Sequence, residues 1–102
     1  IVAHLKAGRD TLVPLLQSVP GVATSVAPGG MYAFLRIDGQ DDSLQLAKHL
    51  VLEAGLGLAP GSAFGPEAEG WLRWCFASKD LARLGEGVER LRRWMALQGS
   101  AR

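Results

Sequence analysis

Apolar residues recur along this chain with two different periods, arranged in alternating blocks. Over residues 1–19, Ile1, Leu5, Leu12, Leu15 and Leu16 stand among polar positions at helical spacing, which predicts a helix. Gly8 and Pro14 weaken it; Pro14 has no backbone donor and should kink the helix or mark where a new one starts. Pro20-Gly21 ends it. Residues 22–27 read as a short extended segment and Pro28-Gly29-Gly30 as a flexible turn. Residues 31–37, rich in aromatic and branched side chains, read as a strand that Asp38-Gly39 breaks. Asp42 or Ser43 then caps a second helix, with Gln45 three residues beyond Asp42 as in a capping box. Leu44, Ala47, Val51 and Ala54 keep helical spacing there, Leu46 and Leu50 widen the stripe, and Gly55 is placed as a left-handed stop. Residues 56–59 predict a short strand, the Gly/Pro run 60–66 a loop, and residues 71–77 a second strong strand. Ser78 is the expected cap of the last helix, with Asp80 in its first turn. Leu81, Leu84, Val88, Leu91 and Met95 form one apolar stripe on that helix, and residues 98–102 are expected to fray.

The order is helix, strand, strand, helix, strand, strand, helix. Helices this amphipathic must cover a sheet. The predicted fold is therefore α+β, a two-layer sandwich whose small, mostly antiparallel sheet is covered by helices on one face. A length of 102 residues suits one domain, and 48% apolar residues supply a core. The formal net charge is +1, so the charge balance points to neither nucleic acid nor an anionic membrane. No apolar run approaches the roughly 20 residues that span a bilayer. The single cysteine, Cys75, has no partner within the chain, and with no signal-peptide pattern at the start the expected setting is the cytoplasm. Cys75 and the two histidines, His4 and His49, form no metal-ligand pattern, and both histidines are expected as solvated helix residues. The chain starts at an isoleucine in the middle of an apolar pattern, which suggests a piece of something longer.

Candidate chemistry centres on Arg73. It lies inside Trp71-Leu72-Arg73-Trp74-Cys75-Phe76-Ala77, the most apolar strand-like run in the chain. Side chains alternate along a strand, so Leu72, Trp74 and Phe76 should face the helices, and Trp71, Arg73 and Cys75 the opposite side. A guanidinium placed among aromatics calls for an anion, and its planar fork can take a carboxylate through two parallel hydrogen bonds. The anion comes either from outside or from Asp38, Glu67 or Glu69 of the same chain; ion pairs within a chain are the commoner arrangement. The Gly/Pro loop 60–66 allows close backbone approach to a ligand or is a plain connection with Phe64 as its small core; it is not a phosphate loop, since no Gly-Lys-Ser/Thr follows. Gly29-Gly30 before Tyr32 is again either a tight approach or a simple turn. Lys6, Lys48 and Lys79 fall on polar helix positions or at a cap, and no general base or nucleophile constellation is present. By itself the chain reads as half a site.

Together these features carry a resemblance. Pro28-Gly29-Gly30-Met31-Tyr32-Ala33-Phe34, a capped helix ending Glu53-Ala54-Gly55, then Leu58-Ala59-Pro60-Gly61-Ser62-Ala63-Phe64-Gly65 and Gly70-Trp71-Leu72-Arg73-Trp74-Cys75-Phe76-Ala77 follow one another in an order that resembles the C-terminal small domain of class I/II aminotransferases. Those are pyridoxal-phosphate-dependent enzymes of fold type I. Gly8-Arg9-Asp10-Thr11-Leu12 and Val19-Pro20-Gly21-Val22 look like the helix and turn that lead into that domain. The resemblance implies that Arg73 binds the α-carboxylate of an amino-acid substrate, that Tyr32 lies towards the substrate pocket, and that the loop carrying Phe64 borders the same cleft. It also implies pyridoxal 5'-phosphate, amino-acid and 2-oxo-acid substrates, and a homodimer. The catalytic lysine and the cofactor-binding residues would lie in a large domain that this chain lacks, so the chain alone should be inactive. Two other readings stand beside it: a stand-alone α+β regulatory module that senses a small carboxylic acid, and a structural dimerisation domain that uses the Trp71/Arg73/Cys75 face.

Overall fold

A computed structural model describes residues 3–26, 30–77 and 80–100. Helix α1 (Ala3–Gln17) leads into strand β1 (Val22–Val26) and strand β2 (Tyr32–Ile37). Helix α2 (Ser43–His49) continues as one wide π turn over Leu50–Ala54. Strand β3 (Ala59–Pro60) is short and is followed by two 3₁₀ turns, Gly61–Phe64 and Pro66–Ala68. Strand β4 (Leu72–Cys75) and helix α3 (Leu81–Ser100) complete the described chain. The strands form one antiparallel sheet in the order β1-β2-β4-β3.

One face of the sheet carries the core. Ala33, Leu35 and Ile37 of β2 and Leu72 and Trp74 of β4 are buried there, with Leu35 opposite Leu72 and Ala33 opposite Trp74 in the register. Leu12 and Leu16 of α1, Leu46 and Leu50 of the second helical segment, and Leu84, Val88, Leu91 and Trp94 of α3 close over them. Burial alternates along β2 and β4 as the sequence pattern requires, so the α+β sandwich with helices on one face is the observed architecture.

Local signals explain most boundaries. Asp42 caps α2 by accepting from the Gln45 amide at 3.1 Å, and Gly55 ends the π turn with φ 68°. The Ser78 cap expected for α3 lies outside the described residues, as do Ile1, Ala27 and the Pro28-Gly29 part of the turn. Asp80 accepts from the Arg83 amide at 3.3 Å and satisfies one donor of the first turn of α3.

Several expectations need correcting. Helix α1 runs unbroken through Pro14, whose ring points to solvent, so the carbonyl that loses its intrahelical donor can turn to water. Gly8 proves to be a contact position: a Cβ there would overlap the carbonyl oxygen of Phe76, so α1 can reach the sheet only with glycine at that point. On α2, Leu46, Ala47 and Leu50 are buried, but Leu44 and Val51 face solvent, because a helix apolar on most sides can turn only one of them to the sheet. The expected frayed tail is helical as far as Ser100, with Trp94 buried one turn earlier and Met95 packed against the core. Strand β3 starts only at Ala59, since Leu56 and Leu58 turn into the core instead of pairing.

Candidate functional site

The site is built on β4. Arg73 opposes Phe34 of β2 on one side and Ala59 of β3 on the other. Its two neighbours on the strand, Leu72 and Trp74, are buried, so alternation sends its side chain to the outer face of the sheet, where it is half-buried. Tyr32 opposes Cys75, one diagonal step from Arg73 on the same face. Phe64 arrives from the 3₁₀ turn that follows β3.

These placements bring together the three residues singled out from the sequence. The Arg73 Cζ lies 4.0 Å from the centroid of the Tyr32 ring and 4.0 Å from that of the Phe64 ring. The guanidinium therefore lies against two aromatic rings. Each such contact contributes about 0.5–2 kcal/mol, depending on how far water is excluded. A cation–ring contact uses none of the guanidinium's hydrogen-bonding capacity, so its N–H donors can still take a planar oxyanion. Phe64 is 42% exposed and outside the core, so its expected alternative role as the centre of a small loop core does not hold.

No carboxylate of the described residues reaches Arg73 within ion-pair distance. Asp38 lies four residues along β2 from Phe34, the partner of Arg73, or roughly 13 Å up the strand. Glu69 is engaged elsewhere: its Oε1 accepts from the Ser43 amide at 2.9 Å and from the Gly70 amide at 2.7 Å. The nearby cation on β2, Arg36, is paired with Asp41 at 3.4 Å. Among the described residues Arg73 thus holds aromatic neighbours and no anion.

The Glu69 cluster was not legible in the sequence. Ser43 is fully buried at the start of α2, and its Oγ accepts from the Ser62 amide at 3.2 Å. Bonds from the Ser43 amide and the Gly70 amide, in that order of weight, favour the ionised form and hold the Glu69 carboxyl below its ordinary pKa. A carboxyl depressed in the folded state stabilises the fold above its unfolded pKa and loses that stabilisation as pH falls through the folded value. Glu69→Gln should therefore lower the urea midpoint at neutral pH, and the gap from the parent protein should narrow on acidification. A gap that stays constant into the acid range would show that these bonds do not favour the charged form.

Cys75 is an exposed free thiol beside Tyr32 on the outer face. Among the described residues no group of three His, Cys, Asp or Glu could hold a metal ion, and no helix is long and apolar enough to cross a membrane. The Arg73 cluster can bind and orient an anion, and the Cys75 thiol lies two residues along the same strand face.

With this geometry in hand, the relatives are informative. Residues 1–91 match the family described as aminotransferase class I and II, and this chain belongs to that family. Over 89 residues it is 34% identical to a probable aspartate/prephenate aminotransferase of Aquifex aeolicus, a stretch covering 83% of this chain and 22% of that protein. Over 95 residues it is 35% identical to 1-aminocyclopropane-1-carboxylate synthase CMA101 of Cucurbita maxima, covering 87% of this chain and 20% of that one. The crystal structure of an aromatic aminotransferase from Pyrococcus horikoshii superposes with a TM-score of 0.86 at 28% identity, over 95% of this chain and 26% of that one. The chain spans about a fifth of the length of the curated relatives it matches.

Proposed function

We propose that this chain is the substrate-clamping small domain, C-terminal in the whole polypeptide, of a pyridoxal-phosphate-dependent aminotransferase that moves an amino group between an amino acid and a 2-oxo acid. One observation carries the reading: Arg73 is fixed on an inner strand between the Tyr32 and Phe64 rings and has no anionic partner among the described residues. Arg73 would take the substrate α-carboxylate through its fork, and Tyr32 and Phe64 would hold the guanidinium in plane and keep water from its faces. The names of the relatives are consistent with this, since aspartate, prephenate and 1-aminocyclopropane-1-carboxylate all carry a carboxylate.

The described residues do not fit the cofactor. Lys6 is exposed and paired with Asp10 at 2.7 Å, Lys48 is exposed on α2, and neither belongs to the Arg73 cluster. On the family resemblance, pyridoxal phosphate and its catalytic lysine are assigned to parts of the protein beyond this chain, and the chain alone is assigned no transamination. Homodimeric assembly, which the family resemblance implies, and a cytoplasmic setting, expected from the lone cysteine, belong to the same proposal.

The test uses an arginine-selective dicarbonyl, phenylglyoxal, on the full-length enzyme. The adduct at Arg73, followed by peptide mass mapping, should form more slowly when a substrate amino acid is present and at an unchanged rate when its amide is present. Indifference of that rate to the carboxylate would remove the clamp reading.

A further inference from the structure

Ser43 and Glu69 form a polar cluster outside the Arg73 site. The cluster joins three segments that are distant in sequence. The Ser43 amide, at the start of α2, bonds the Glu69 carboxylate; the same carboxylate takes the Gly70 amide just ahead of β4; and the Ser43 Oγ takes the Ser62 amide in the 3₁₀ turn. That turn ends at Phe64.

The Phe64 ring is substantially exposed, outside the buried core, and lies against the Arg73 guanidinium. Its position depends on the turn beneath it. The turn in turn is fastened by two bonds, the Gly61 amide to the Trp71 carbonyl at 2.7 Å and the Ser62 amide to the Ser43 hydroxyl. The Glu69 carboxylate fixes the Ser43 end of that bond by accepting from the Ser43 amide at 2.9 Å, which holds the start of α2, and the buried hydroxyl mounted on it, in place.

We propose that Glu69 is a positioning residue for the Arg73 anion site: through Ser43 it fixes the turn that carries Phe64, and so sets where the guanidinium fork points. The proposal rests on the carboxylate-clamp reading above and adds to it a residue that touches neither substrate nor Arg73. A carboxylate suits the task because one oxygen, Oε1, receives both amides, and the charge strengthens each bond.

The experiment is steady-state kinetics of the full-length enzyme with the best amino donor found among the common amino acids. Glu69→Ala and Ser43→Ala should each raise KM for the donor about three- to tenfold, the scale of losing one ring from a stacked cation, with kcat within about twofold. Glu69→Gln keeps an acceptor oxygen for the two amides and should recover most of the parent KM. Phe64→Ala should raise KM by the same factor as Glu69→Ala, and adding Glu69→Ala to it should cost nothing further. A merely structural role for Glu69 would instead add its effect to that of Phe64→Ala, and additive effects would overturn the proposal. Should the alanine variant fail to fold, Glu69→Asp, which keeps the charge but withdraws it by one methylene, carries the same double-variant comparison. Arg73→Ala in the same assay separates the two levels. If it leaves catalytic efficiency unchanged, the clamp reading falls and this proposal with it. If it collapses efficiency while Glu69→Ala leaves KM unchanged, only the positioning role is lost.

Discussion

Replacing Arg73 with alanine in the full-length enzyme is expected to lower kcat/KM for the amino donor by roughly 30- to 5000-fold, or about 2–5 kcal/mol of transition-state stabilisation. The size follows from the setting. The guanidinium is half-buried against two rings and unpaired among the described residues, so a substrate carboxylate would meet a charge that is already desolvated on its faces and aimed. Without it, the carboxylate would enter the same apolar surroundings with no counter-charge. Arg73→Lys should restore only part of the loss, because an ammonium keeps the charge but neither forms two parallel bonds nor stacks flat between Tyr32 and Phe64. Initial-rate kinetics on the three proteins provide the check, and an alanine variant with the parent's efficiency would end the assignment.

The second large effect concerns Gly8. In an exposed helix interior, glycine to alanine usually stabilises by about 1 kcal/mol. At Gly8 the sign should reverse, because the new methyl would overlap the Phe76 carbonyl oxygen and force α1 away from the sheet. The expected cost is on the order of 3 kcal/mol. That is a large share of the roughly 5–15 kcal/mol that holds a domain together, and it should lower the melting temperature by roughly 12–24 °C in a domain of this size. Gly85 on α3 is the control. A Cβ there meets only the Leu15 Cδ1 at 3.9 Å, an ordinary contact, so Gly85→Ala should be neutral or slightly stabilising. Thermal unfolding of the two variants side by side decides the point; equal behaviour would mean that α1 does not need its close seat.

What could be read from the sequence depended on whether the signal was local. Arg73 was placed on the outer face from alternation alone, because Leu72, Trp74 and Phe76 leave a strand only one way to face its core. The left-handed stop at Gly55 and the Asp42 cap are equally local and were legible. On α3 the helical spacing predicts Met95 as the apolar residue after Leu91, and the structure corrects this. Trp94 is the more deeply buried, its indole N–H donating to Glu53 at 2.9 Å on another element, a partner that no helical period reveals. Tyr32 and Phe64 had no pattern of their own that linked them to Arg73; family resemblance named them, and the sheet register and the 3₁₀ turn bring them to it. The Ser43–Glu69 bond joins residues 26 positions apart, and nothing in the spacing of a serine and a glutamate announces such a pair.

Strand β4 lies between β2 and β3, so Arg73 has a paired strand on either side of its backbone. A side chain mounted on a loop can be swung by loop motion, whereas this one is carried on a braced beam. Its Cα has little freedom of its own, so any large displacement of the point from which the guanidinium hangs must come from the whole sheet turning as a plate.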